Sequence, residues 1–222
     1  MSTSEIRVRI TVGFVLATVI FALIASGATR LTHVLILLAL GWDLLTTVHS
    51  ILSRIVRCYT LVIFLIYWVF VVGCTEALVY IYVRDPTTIL LLVIIVQASD
   101  ALQYAIGASV GTLTVTQISP KKTWEGYLGS ITTLLVLSTV GILLIRNIVV
   151  GATSSLHFHI LYTTLLPWWF LGAVGGLLSS WVKRRIGVKD YSRLLGPHGG
   201  WLDRTDSLHL PILYSLLTNT LV

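Results

Sequence analysis

Residues 59–83 read YTLVIFLIYWVFVVGCTEALVYIYV, and this stretch contains a single charged residue, Glu76. A helix that crosses the hydrocarbon core of a bilayer needs about 20 predominantly apolar residues. Because lipid offers the backbone no hydrogen-bond partner, such a segment has to be helical. The stretch therefore predicts a membrane-spanning helix, and the same criterion can be applied to the rest of the chain.

The whole chain has the composition of a membrane protein. Of its 222 residues, 56% are hydrophobic and 11% are charged, whereas soluble domains carry about 25% charged residues. The predicted fold class is all-α, a polytopic integral membrane helical bundle of about seven transmembrane helices. The apolar runs place these spans at 8–28, 31–51, 59–83, 87–110, 127–149, 159–182 and 207–222, the last being the shortest.

The basic residues are distributed unevenly between the predicted loops. If the N-terminus is cytoplasmic, 12 of the 15 basic residues face the cytoplasm, and only Arg30, Arg84 and Arg146 face the far side. Basic residues concentrate in cytoplasmic loops, so a cytoplasmic N-terminus is predicted. The loops at 111–126 and 183–206 then share the cytoplasmic face. The net charge of +6 is therefore attributed to basic cytoplasmic loops, and no nucleic-acid partner is expected.

The second of these loops is unusually polar for so hydrophobic a chain. Residues 179–206 read SSWVKRRIGVKDYSRLLGPHGGWLDRTD. If the chain is helical from about Leu202, Asp203 and Asp206 lie on one face at spacing i, i+3. Two such carboxylates repel each other and need a cation. Mg²⁺ takes a few carboxylates and completes its coordination shell with water and substrate phosphates.

Two glycines in the same loop fit this interpretation, because Gly199 and Gly200 would let the backbone approach a phosphate closely. The residues therefore predict phosphate-bearing substrates and a divalent metal. The alternative is a plain connector whose aspartates balance a basic anchor. In the first loop, SPKKTWEG at 119–126 can be such an anchor with an interfacial tryptophan, and spacing alone favours that interpretation.

Together these motifs resemble those of the phosphatidate cytidylyltransferases, also called CDP-diacylglycerol synthases. The family pattern is Ser, two residues, Lys-Arg, four residues, Lys-Asp, and then His-Gly-Gly, two residues, Asp-Arg, one residue, Asp. SPKKTWEG and SDALQYAIG (residues 99–107) are similar to two further family segments. The long pattern is met by Ser180, Lys183, Arg184, Lys189, Asp190, His198, Gly199, Gly200, Asp203, Arg204 and Asp206.

The resemblance implies a polytopic membrane enzyme, often dimeric, that uses Mg²⁺ to join CTP to phosphatidate, giving CDP-diacylglycerol and pyrophosphate. The resemblance covers roughly residues 95–210 and implies a cytidylyltransferase-like catalytic membrane region at 87–222. The apolar runs predict an N-terminal transmembrane region of about three spans at 1–86. Candidate metal ligands are Asp203, Asp206, Asp190 and Asp100. Candidate catalytic residues are Asp203, Lys183, Arg184, Lys189, Asp190, His198 and Arg204. Candidates for the nucleotide side are Ser119, Lys121, Lys122, Gly199 and Gly200.

One departure from the family pattern opens an alternative. Gly176 stands where the family has an acidic metal ligand, and Asp100 is the nearest acid that could compensate. A catalytically impaired relative that binds lipid or assists assembly is therefore a second hypothesis. A small transporter is a third, but Glu76 and Asp43 are too few and too scattered along the spans to form a pathway.

Overall fold

The computed structural model describes residues 29–53, 58–148, 154–196 and 199–219. The described ranges contain no β-strand, only an isolated bridge between Thr114 and Thr123. They form seven helices, which are α1 (Thr29–Leu52), α2 (Cys58–Arg84), α3 (Pro86–Val110), α4 (Trp124–Ile148), α5 (Ser154–Arg185), α6 (Leu202–Thr205) and α7 (His209–Asn219).

Four stretches of these helices are long and apolar enough to cross a membrane: Arg30–Leu52, Cys58–Arg84, Pro86–Val110 and Thr163–Arg185. They coincide with four of the predicted spans, and the span predicted at 127–149 coincides with α4. The all-α membrane fold is thus confirmed.

The first and the last predicted spans are not among these four. The span predicted at 8–28 lies outside the described residues. The described part of the span predicted at 207–222 contains α7, which has 11 residues. At about 1.5 Å per residue it measures about 16 Å, roughly half the thickness of a bilayer core.

Large apolar side chains face outward along the candidate spans. Leu45 is 67% exposed, Ile66 67%, Val69 64% and Ile94 61%. A soluble monomer rarely exposes contiguous apolar surface on this scale, because that surface would contact water. Lipid removes the cost, so the outward faces of these helices are lipid-facing surfaces.

The described residues pack into two compact units, and the first combines the chain up to Arg84 with Trp181–Asp206. Side chains of α1 and α2 form its core together with residues from the end of α5 and the segment after it. The buried members are Leu40, Ile51, Phe64, Tyr67, Val71, Val182, Ile186, Tyr191 and Leu202. His33 Nε2 also lies 3.0 Å from Glu76 Oε1, which joins α1 to α2.

The second unit combines Asp85–Ser180 with the chain from Ser207 onward. Its helices α3 and α4 cross closely, because a Cβ atom on Gly126 would lie 2.6 Å from the carbonyl oxygen of Gln103. Small residues at membrane helix contacts allow such close approach. These units are defined by packing, and the functional division predicted between residues 86 and 87 stays a prediction.

Candidate active site

The end of α5 places three basic residues at the start of the polar segment 180–206, which we call the signature segment. Lys183, Arg184 and Arg185 form the last turn of α5, where cations interact favourably with the helix dipole. The helix stops at Gly187, whose φ is 75°. The N–H of Val188 donates to the carbonyl of Lys183 at 2.9 Å, and the N–H of Gly187 donates to that of Arg184 at 3.2 Å, which is a Schellman motif.

Asp203 is the centre of the hydrogen bonds in the signature segment. Its Oδ1 accepts a hydrogen bond from Lys183 Nζ at 2.9 Å. Its Oδ2 accepts from the N–H groups of Tyr191 at 2.8 Å and Gly200 at 2.9 Å. The Asp203 side chain is 3% exposed and that of Lys183 is 12% exposed. This ion pair is therefore buried, and both carboxylate oxygens act as acceptors.

Lys183 also reaches the second predicted metal ligand. Its Nζ lies 3.6 Å from Asp206 Oδ2 and 5.3 Å from the centre of the Tyr191 ring. The sequence predicted that the two aspartates would need a cation between them, and in this structure the Lys183 ammonium holds that position. Its charge offsets the repulsion between the two carboxylates.

The signature segment is anchored to α1 by two side chains. Asp43 is fully buried, and it accepts a hydrogen bond from the Ser192 hydroxyl and one from the N–H of Leu202 at 2.7 Å. One turn further along α1, the Thr47 hydroxyl donates to the carbonyl of Tyr191 at 2.7 Å. Asp43 and Thr47 therefore bind both sides of the segment that carries Asp203.

Gly199 and Gly200 of the signature segment have intramolecular functions. Gly199 has a φ of 83°, a left-handed conformation that glycine adopts at little cost. A Cβ atom on Gly200 would lie 2.6 Å from Asp43 Oδ2 and 2.7 Å from Ser192 Oγ. Gly200 is thus the residue that lets the Asp43 carboxylate approach the backbone. Their predicted contact with a phosphate stays a prediction.

The donor atoms of this cluster suit a hard divalent cation. Asp203 Oδ1 and Asp206 Oδ2 are carboxylate oxygens that already contact one shared cation, Lys183. Mg²⁺ is commonly bound through one or two carboxylates together with substrate phosphates. Within the described ranges, no group of three or more His, Cys, Asp or Glu side chains could hold a metal. These two aspartates fit a Mg²⁺ ion whose remaining ligands are water and substrate phosphates.

The second unit holds the other polar loop, residues 111–123. Glu125, in the first turn of α4, organises this loop by accepting several hydrogen bonds. Its Oε1 accepts from the hydroxyl of Thr112 at 2.6 Å and from the N–H groups of Thr112 and Leu113, each at 3.1 Å. At the other end of the loop, the N–H of Val115 donates to the carbonyl of Lys122 at 2.9 Å.

These bonds predict how the 111–123 loop responds to pH. The Thr112 hydroxyl, with backbone N–H groups, lowers the pKa of Glu125 from 4.5 to about 2. Because the pKa is lower in the folded state, the stabilisation is complete above pH 4.5 and is lost as the pH falls towards 2. We expect amide hydrogen exchange at residues 112–118, corrected for intrinsic rates, to accelerate in that range. In Glu125→Gln this pH dependence should disappear, and equal pH dependence in both proteins would contradict the prediction.

Asp100 and Lys122 lie together in the second unit. Asp100, just past the middle of α3, is hydrogen-bonded to the side chain of Ser207 and lies close enough to Lys122 to interact electrostatically. The Lys122 ammonium is 5.9 Å from the centre of the Tyr127 ring. It also faces α5, because a Cβ atom on Gly176 would lie 2.7 Å from Lys122 Nζ. The Lys122 ammonium thus lies near the Asp100 carboxylate and next to helix backbone that carries no side chain at Gly176.

The predicted site residues differ in what they contact. Lys183, Asp203 and Asp206 are in direct contact in the first unit. Lys121, Lys189, Asp190 and Arg204 are exposed; among the described residues no ion pair joins Asp190 to Lys189. Arg184 Nη1 donates to the carbonyl of Val188 at 3.2 Å, and the Ser119 carbonyl accepts from the Lys122 N–H at 3.0 Å. His198 lies outside the described residues.

Comparison with known proteins places this arrangement in a family. The sequence profile of the Cytidylyltransferase family matches residues 1–220 of the chain. The chain belongs to the cytidylyltransferase family. The resemblance drawn from the motifs is thereby confirmed.

Curated members of the cytidylyltransferase family are similar to this chain over part of their length. The phosphatidate cytidylyltransferase of Haemophilus influenzae is 36% identical over 144 residues, which cover 63% of this chain and 49% of the relative. That of Mycobacterium leprae is 35% identical over 175 residues, covering 75% and 52%. That of Bacillus subtilis is 37% identical over 127 residues, covering 56% and 45%. The chain spans about half the length of the curated relatives it matches.

The sequence alone did not reveal the anchoring role of Asp43 in this chain. In the sequence Asp43 is an isolated carboxylate within a predicted span, and its partners in the signature segment are 149 and 159 residues away in the chain. The signal that could have found it is a carboxylate inside an apolar span, which is a functional hypothesis by default. Thr47, one helical turn later, gives no comparable signal because threonine is common in membrane helices.

Proposed function

We propose that the protein transfers CMP from CTP to a lipid phosphate, phosphatidate, and forms CDP-diacylglycerol and pyrophosphate. The observation that carries this proposal is the buried cluster of Lys183, Asp203 and Asp206 in a chain of the cytidylyltransferase family. Both substrates are phosphate anions, and one of them is confined to the membrane. A lysine, two possible metal ligands and the flanking Arg184 and Arg185, next to membrane-spanning helices, suit that pair of substrates.

The chemistry that this cluster must support is a phosphoryl-type displacement. A phosphate oxygen of the lipid attacks the α-phosphorus of CTP, a new phosphorus–oxygen bond forms, and the bond to the pyrophosphate leaving group breaks. The protein has little covalent work in such a transfer and acts by positioning and charge stabilisation. Lys183 would move its hydrogen bond from Asp203 to phosphate oxygens, while Arg184, Lys189 and Arg204 would hold further phosphate charge.

Mg²⁺ is the proposed cofactor, with Asp203 and Asp206 as its protein ligands and Asp190 and Asp100 as further candidates. When bound, it would neutralise phosphate charge and orient the reacting groups. Asp203 would keep its bonds to the N–H groups of Tyr191 and Gly200 through Oδ2, leaving Oδ1 for the cation. Lys121 and Lys122 are proposed for the nucleotide side.

A catalytically impaired family member is the second candidate function, because Gly176 has no side chain that could coordinate a metal. The transporter hypothesis loses its support, since Glu76 pairs with His33 and Asp43 binds the signature segment. The deciding experiment is conversion of phosphatidate in mixed micelles by the purified protein with CTP, with and without Mg²⁺. Formation of CDP-diacylglycerol supports the enzyme. CTP binding without turnover supports the impaired relative.

The proposal includes a cytoplasmic active site and N-terminus, which rest on the uneven distribution of basic residues. We expect single cysteines at Lys121 and Arg193 to react with an impermeant maleimide only after the membrane is opened. A cysteine at the exposed Thr87 should react in intact cells. The background for all three is Cys58→Ser, because Cys58 is exposed and Cys74 is buried. Labelling of residue 121 or 193 from outside intact cells would contradict this orientation. A homodimer stays a prediction.

A further inference from the structure

Lys122 has a hydrogen-bonded backbone and an ammonium group that faces an aromatic ring. Its backbone N–H donates to the Ser119 carbonyl at 3.0 Å, and its carbonyl accepts from the N–H of Val115 at 2.9 Å, so its Cα has a fixed position. The residue is half-buried, and its ammonium group faces the Tyr127 ring at 5.9 Å. The direction of the side chain is therefore set by packing.

The Lys122 ammonium has donor capacity to spare. It carries three N–H donors, yet among the described residues it forms no ion pair within 4.0 Å and no side-chain hydrogen bond. Asp100 interacts with it electrostatically from a greater distance. A cation that is partly withdrawn from water and incompletely paired favours binding of an anion.

Gly176 provides the space that this ammonium occupies. A Cβ atom at residue 176 would lie 2.7 Å from Lys122 Nζ and 3.9 Å from its Cε, so any side chain there would require the ammonium to leave its present position. The contact atom is the free end of a flexible side chain. A larger residue would therefore displace the ammonium and leave the helix in place.

We infer that Gly176 is a positioning residue, which by lacking a side chain fixes the Lys122 ammonium where it can bind the phosphates of the nucleotide substrate. This inference rests on the proposed function, because it takes CTP as the ligand of Lys122. It gives Gly176 a function of its own in this chain, because the space beside residue 176 is filled by the Lys122 ammonium.

The test is a double-mutant cycle that measures CTP binding at fixed Mg²⁺ by calorimetry, with thermal unfolding followed in parallel. We expect Lys122→Met and Gly176→Ala each to weaken binding at least about tenfold, equivalent to about 1.4 kcal/mol. In the Lys122→Met background, Gly176→Ala should cost nothing further, because the methionine side chain ends one atom earlier. The unfolding temperature of Gly176→Ala should match that of the unmodified protein.

The matched control is Gly141→Ala, a helical glycine of the same unit with nothing within 4 Å of the added Cβ atom. It should leave CTP binding unchanged. Gly176→Asp should weaken binding at least as much as alanine, because its carboxylate would pair with Lys122. Wild-type affinity in Gly176→Ala, or tighter CTP binding by Gly176→Asp, would overturn the inference.

A different result would identify a failure of the proposed function itself. If CTP does not bind the unmodified protein, or binds Lys122→Met equally well, Lys122 is not a ligand of the nucleotide and the inference falls with that assignment. If Gly176→Ala does not fold, Gly176→Ala with Lys122→Met still decides. Recovery of folding in the double variant supports the clash between the two side chains, and failure to recover it contradicts that clash.

Discussion

Asp203→Asn is expected to reduce CDP-diacylglycerol formation by at least about a hundredfold, since each tenfold loss requires only about 1.4 kcal/mol. Asparagine keeps the shape of the side chain but cannot make all of these contacts at once, because it has one acceptor oxygen where the carboxylate has two. In either orientation its NH₂ group would face a donor, which is Lys183 on one side and the N–H groups of Tyr191 and Gly200 on the other. The charge that offsets Lys183 is also removed.

The measurement is turnover of phosphatidate under saturating CTP, with the unfolding temperature of each variant determined in the same detergent. Arg193→Gln is the matched control, because Arg193 is an exposed side chain of the same segment and should tolerate the change. Breaking a buried ion pair by removing one partner costs about 3–5 kcal/mol of folding free energy, so a lower unfolding temperature is also expected. Near-normal turnover in Asp203→Asn would refute the assignment.

Asp43→Ala is expected to release the signature segment from α1 and to abolish most of the activity, although Asp43 is not among the residues proposed to bind substrate. The change leaves the Ser192 hydroxyl and the Leu202 N–H without their buried acceptor. Each unsatisfied buried donor costs about 1–3 kcal/mol. A displacement of about 1 Å in catalytic groups can lower a rate a hundredfold, so turnover should fall by at least about that factor.

Limited trypsin digestion reports the release of the segment directly, because Arg193 is exposed within it. Cleavage after Arg193 should be faster in Asp43→Ala than in the unmodified protein. Asp43→Asn should restore most of the protection, since its amide oxygen can accept from Leu202 and a hydroxyl can accept from its NH₂ group. Thr46→Ala, which removes a hydroxyl bonded only within its own helix, is the control. Unchanged cleavage in Asp43→Ala would show that α1 does not hold the segment.

Gly200 provides a second route to the same anchor. A methyl group at residue 200 would lie 2.6 Å and 2.8 Å from the two carboxylate oxygens of Asp43. The second glycine of the family pattern thus has a structural reason in this chain that does not involve a ligand. The spacing of the glycines was visible in the sequence, but the reason for Gly200 was not, because the group that approaches it comes from α1.

The sequence by itself determined the helices, the membrane and the family. Long apolar runs specify spanning helices locally, because each backbone group must find its partner within the segment, and the stretch at 59–83 became α2 with nearly the same bounds. The motif placed Lys183, Asp203 and Asp206 within one signature but did not distinguish them from its other polar residues. Asp203 and Asp206 lie on one side, as their i, i+3 spacing predicts, because residues 202–205 form a short helix.

Only the tertiary structure decided which groups pair with the aspartate carboxylates and which atoms lie against the glycines. The cation between Asp203 and Asp206 is Lys183, 20 residues before Asp203. The anchor of the signature segment is Asp43, 149 residues before Ser192, and the atom facing Gly176 belongs to Lys122. Such contacts depend on how separate helices pack. The local periodicity of a sequence reports which face of a helix is apolar, and it carries no information about which distant donor meets a given carboxylate.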